Sequence, residues 1–170
     1  MSRFFFLLFS IFLLSSCDSV LTPKVKQCFS RVYIEEIPGY SGVLLKSVLQ
    51  RMFSGSGCDR DYTLSIDMET SENALEMGKD AKIALLHTIL KASFTLKHCQ
   101  NIVHKGQVTA CYYRTLTPSF YGQTSAQFYV SQEGAQHIAQ EIFAELGRFF
   151  HAREKKLKKI SKVNKFSNIF

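Results

Sequence analysis

Hydrophobic spacing changes period along this chain, and each change marks an element. After a polar stretch around Pro23, the residues Val32, Ile34 and Ile37 suggest a first strand, stopped by Pro38-Gly39. From Ser41 the period lengthens: Leu44, Leu45, Val48, Leu49, Met52 and Phe53 recur at helical spacing. Ser41 is the expected N-cap, and the run Ser54-Gly55-Ser56-Gly57 the expected stop. Strict alternation then returns, with Tyr62, Leu64, Ile66 and Met68 on one side and Thr63, Ser65, Asp67 and Glu69 on the other. That is a strand with one wet face.

A polar link over 71–80 is followed by a longer alternation, Leu86, Thr88, Leu90, Ala92, Phe94 and Leu96 against His87, Lys91, Ser93, Thr95 and Lys97. The chain turns near His98–Asn101 and returns through Val108, Ala110 and Tyr112, which predicts an antiparallel hairpin. Residues 115–128 hold aromatic side chains, Pro118 and Gly122 without a sustained period and read as a long loop. A last helix is expected from Ser131. Its stripe of Ala135, Ile138, Ala139, Ile142, Phe143, Leu146, Phe149 and Phe150 must be covered by something. The order strand, helix, three strands, helix predicts an α+β fold. It is a two-layer sandwich with two helices on one face of a roughly four-stranded, mostly antiparallel sheet.

Ahead of these elements, Arg3 precedes an apolar run from Phe4 to Leu14 broken only by Ser10, the pattern of a secretory signal and too short for a permanent membrane span. Leu14-Ser15-Ser16-Cys17 looks like a bacterial lipoprotein box, so Cys17 is expected to become the acylated first residue. The expected organisation is a leader over 1–16, a lipid anchor and tether over 17–30, one domain over 31–152 and a basic tail over 153–170.

Charge sharpens the picture once it is located. The formal net charge is +7, yet residues 18–152 balance thirteen basic against thirteen acidic side chains, and residues 153–170 carry seven Lys or Arg against Glu154 alone. A neutral body offers no continuous footprint for phosphates, so nucleic acid is excluded as a partner of the domain. Cys28, Cys58, Cys99 and Cys111 allow three disulfide pairings, among which spacing cannot choose. Neither they nor the scattered histidines have the spacing of a zinc site, and no cofactor is expected.

The stretches "IPGYSGVLLKSVLQRMF", "YTLSIDME", "KDAKIALLHTILKASFTLKH" and the run from Ile102 to Phe150 together resemble the LptE family, the lipoprotein component of the lipopolysaccharide export machine. Lys79-Asp80-Ala81, Phe94-Thr95-Leu96, Gly106, Tyr112-Tyr113, Tyr121-Gly122 and Ala135 with Ala139 occupy the places of that family's pattern, over residues 31–152. The resemblance implies an outer-membrane lipoprotein on the periplasmic side. It would sit inside the lumen of a large β-barrel partner, LptD, assist that barrel's assembly and take part in inserting lipopolysaccharide, with no bond made or broken. An aspartate directly after a lipidated cysteine, here Asp18, favours inner-membrane retention in some bacteria. The alternative is therefore an inner-membrane accessory lipoprotein of a lipid or solute transporter.

Candidate contacts follow. Lys79, Lys82, Lys105 and Arg114 are expected to meet lipopolysaccharide phosphates or acidic groups of the barrel. Phe120 and Tyr121, beside Gly122, are expected interface anchors. Leu157, Ile160, Val163 and Phe166 recur every third residue among lysines, so the tail either extends the last helix as a basic amphipathic strip or stays solvated. No nucleophile elbow, paired-carboxylate cleft or phosphate-binding glycine loop occurs, and catalysis is not expected.

Overall fold

The alternating stretches build one four-stranded sheet, in spatial order β1-β2-β3-β4. The computed structural model describes residues 23–53, 61–77, 84–116 and 119–167, with the main chain alone at 75–77, 84, 116 and 159–167. In chain order the elements are α1 (Pro23–Ser30), β1 (Val32–Ile34), α2 (Tyr40–Met52), β2 (Tyr62–Met77), β3 (Ala84–His98), β4 (Asn101–Leu116) and α3 (Phe120–Ser167). The α+β class and the mostly antiparallel sheet agree with the alternation, and α1 is a third helix beyond the two expected.

β1 runs parallel to β2, because α2 carries the chain across before the second strand starts. It is short, pairing only with residues 62–64. β2, β3 and β4 form a long antiparallel meander whose register places like with like. Leu64, Leu96 and His104 share one row, then Ile66, Phe94 and Gly106, then Met68, Ala92 and Val108, then Thr70, Leu90 and Ala110. The expected hairpin turns through Cys99 and Gln100, both with positive φ (47° and 71°), a two-residue loop whose twist suits the strands it joins.

All three helices cover the same face. Leu45 and Leu49 of α2, Ala135, Ile138, Ala139, Ile142 and Leu146 of α3, and Leu64, Leu90, Phe94 and Leu96 of the sheet are buried in one core. Each of the buried Leu, Ile and Phe side chains contributes about 1.5–3 kcal/mol of burial. Gly106 makes the close fit possible: a Cβ there would meet the Phe94 ring edge and the Glu145 carboxylate. The other face of the sheet, with Asp67, Glu69, Ser93, Lys105, Gln107, Thr109, Cys111 and Tyr113, is polar and largely exposed.

Four expectations are corrected. Residues 23–30, expected within a tether, form α1, whose Val25 and Phe29 are both 2% exposed. Phe29 stacks on Phe143 at 4.4 Å and meets Phe53 and Phe150 at 5.1 and 5.3 Å, so this segment belongs to the core. Ser41 is not a cap, since α2 starts one residue earlier and Gly39 occupies the N-cap without a side-chain bond. Much of the expected polar link extends β2 to Met77, paired with β3 down to Ala84. Most of the expected loop is helix: α3 begins at Phe120, not Ser131. Ser119 supplies its cap, accepting a bond from the Gly122 N–H at 3.4 Å. The signal peptide, Cys17, Cys58, the Ser54–Gly57 stop, Lys79 and Lys82 lie outside the described residues.

Candidate functional site: a cleft at the open end of the sheet

Where the strands outrun the helices, the inner face continues without a lid. Past the row of Thr70, Leu90 and Ala110 come Glu72, Thr88 and Tyr112, then Ala74, Leu86 and Arg114. Gly134 brings α3 tight against the sheet just before this point, since a Cβ there would collide with Leu90. The first turns of α3 and the start of α2 then stand around a cleft of about 600 Å³, floored by Thr70, Glu72, Thr88 and Arg114 and rimmed by Tyr40 and Phe128.

The floor is a charged pair held by strand parity. The Arg114 guanidinium donates through Nη2 to both Glu72 oxygens at 3.0 Å, and the buried Thr88 hydroxyl donates to Oε1 at 3.4 Å. The Arg114 side chain is 10% exposed, and its buried Nε has no partner among the described residues. Burial, then the nearby Glu133 and Tyr129, push the Tyr112 hydroxyl above its ordinary pKa and keep it a neutral donor. The rim is aromatic: Tyr40 and Phe128 lie 6.1 Å apart, half exposed, while Phe120, Tyr121 and Tyr129 stand in solvent on the same helix.

Of the expected cationic contacts, the two among the described residues stand far apart. Lys105 is exposed on the outer face of β4 near the hairpin, whereas Arg114 is turned inward near the other end of the strand, about 30 Å away at 3.3 Å per residue. Phe120 (84% exposed) and Tyr121 (81%) sit on the first turn of α3, near the end of β4 where Arg114 lies. Glu72 escaped the sequence reading because it lay in the apparent link. Its even-numbered parity with Tyr62, Leu64, Ile66 and Met68 would have turned it inward had β2 been extended.

A second, half-buried polar contact also went unread. His104 Nε2 lies 3.0 Å from Glu145 Oε1, with the His104 ring stacked on Phe149 at 5.0 Å. His104 has the inward parity of β4, and Glu145 interrupts the apolar stripe of α3, which are the two signals that could have found the pair. Cys28, Cys99 and Cys111 are free thiols. Burial pushes Cys28 up, with Arg31 and Arg153 acting the other way.

No family model and no curated protein matches the chain. Solved structures do. A Caulobacter crescentus protein described as a lipoprotein aligns at 19% identity over 76% of this chain and 97% of its own, with a TM-score of 0.60. A minor lipoprotein from Acinetobacter baumannii aligns at 17% identity over 70% and 92%, TM-score 0.54. Rare lipoprotein B from Shewanella oneidensis aligns at 10% identity over 75% and 96%, TM-score 0.52. At these identities the likeness shows a shared fold.

Proposed function

We propose that this chain is a lipid-anchored protein of the LptE kind, which assembles with a large LptD-like β-barrel of the outer membrane and assists lipopolysaccharide assembly as plug and assembly factor. The carrying observation is the asymmetry of the sandwich. Three helices bury one face of the sheet, and the other face is a broad surface of Ser, Thr, Gln, Asp and Lys. The lumen of a large barrel is itself polar, so such a surface enters it without stranding apolar area. The Leu14–Cys17 box and the fold shared with proteins named lipoproteins support the anchor. The protein would work by shape, with Phe120 and Tyr121 as exposed anchors and Lys79, Lys82 and Lys105 as cationic contacts, Arg114 being engaged with Glu72.

Photo-crosslinking from Gln107 and Thr109, on the exposed outer face, tests the reading. The expected product is an adduct with a single large β-barrel, and depletion of the chain should reduce the assembled barrel. An outer face that yields no barrel adduct in intact cells overturns it. Asp18 favours the second reading, an inner-membrane accessory lipoprotein of a lipid or solute transporter, and membrane fractionation separates the two.

A further inference from the structure

The core stripe of α3 ends at Phe150, yet the helix continues to Ser167, about 25 Å further at 1.5 Å per residue. A helix prolonged in this way needs partners for its apolar positions, because short solvated helices are marginal on their own. Leu157 is 59% exposed, and Ile160, Val163 and Phe166 follow it at intervals of three. These positions stand among six of the seven basic residues of 153–170, with Glu154 the sole acid, and Lys155, Lys156 and Lys158 are exposed. Arg153, at the start of this part of the helix, donates to the Tyr62 hydroxyl of β2, and beyond it the neighbour is α1. Between α1 and α3 lies a cleft of about 450 Å³ floored by Val25, Cys28 and Phe150 and edged by Lys24, Arg153 and Lys158.

We infer that the end of α3 beyond Phe150, together with α1, is a docking surface for an anionic lipid bilayer. Apolar positions interleaved with lysines suit the boundary between acyl chains and negatively charged headgroups. The surplus of positive charge selects an anionic surface over a neutral one. Position also fits: α1 starts at Pro23, six residues from Cys17, which can lie no more than about 21 Å away at full extension. A basic patch beside the lipidated residue supplies a further attachment to the same surface. Nearness to the membrane rests on the anchor reading of Cys17; the charge and apolar pattern do not, and none of this depends on the barrel.

The chain contains no Trp, so Leu157→Trp places a single reporter on the surface. The purified full chain carrying it is mixed with vesicles of phosphatidylcholine alone, or of phosphatidylcholine and phosphatidylglycerol in equal parts. The expected result is a blue-shifted emission, quenched by brominated acyl chains, on the anionic vesicles at low salt and lost as salt rises. Lys155→Glu with Lys156→Glu is expected to lower partitioning onto those vesicles by about tenfold or more. Equal emission on both vesicle types, no shift on either, or indifference to the double charge reversal overturns the inference. The salt series needs no charge substitution, so it stands even if that variant misfolds. Mass measurement of the mature N-terminus in the same sample distinguishes a failed anchor reading from a failed surface.

Discussion

Arg114 is largely buried at the open end of the sheet, and the half-exposed Glu72 carboxylate is the partner that compensates its charge. Removing one partner strands the other, so Glu72→Ala is expected to cost about 1–3 kcal/mol in urea denaturation. The Glu72 side chain keeps 37% exposure, which places the value toward the lower end. Glu72→Leu combined with Arg114→Leu should cost less than the two single changes summed, because the double variant leaves no orphaned charge.

Tyr62 shows the same logic in pH. Burial raises its pKa above the ordinary 10.0 against the opposing pull of Arg153, which also donates a hydrogen bond to its hydroxyl at 3.0 Å. Burial likewise raises Cys28 above 9.0. Both groups hold their protons more tightly when folded. Their contribution is therefore complete below pH 9.0 and is lost as pH rises through the elevated folded values. The thermal midpoint should fall steadily from pH 9.0 upward, and Cys28→Ser should flatten the early part of that fall.

At the scale of elements, α1 makes the sharpest test. Phe29 touches Phe53, Phe143 and Phe150, so it joins α1 to α2 and α3. Phe29→Ala is expected to cost about 3–5 kcal/mol, read as a lowered urea midpoint. A mere tether residue would cost nothing. What made elements legible was a buried face: β2 to Met68, β3 and β4 announce themselves by alternation, and α3 from Val130 onward by its stripe. The missed segments bury too few residues to set a period. Residues 119–129 are exposed or half-exposed on every side of α3, so their aromatics show no period. Residues 71–74 of β2 are exposed on both faces. In α1 only Val25 and Phe29 mark two turns, too few for a period. The cleft was hidden for the same reason, since Glu72, the acid of its floor, lay on the unrecognised stretch of β2.

For the molecule as a whole, every buried residue among those described precedes position 151. Ending the chain after Lys158 should accordingly move the thermal midpoint by no more than about 4 °C, the shift that 1 kcal/mol brings in a domain of this size. If the proposed docking surface holds, membrane affinity and fold are separable in one helix, and a truncation series followed by calorimetry and by vesicle binding should show the two diverge.

β1 covers just the first three residues of β2, and β4 has a neighbour on one side alone. Among the described residues, two long ribbons of main chain are therefore left without a strand beside them. Bare ribbons adhere to one another, so molecules produced in excess of whatever shelters them would drift toward insoluble strand-joined aggregates or toward proteolysis. Under the proposed barrel reading, raising this chain's expression alone should therefore enlarge the insoluble fraction, and raising the barrel with it should reverse that.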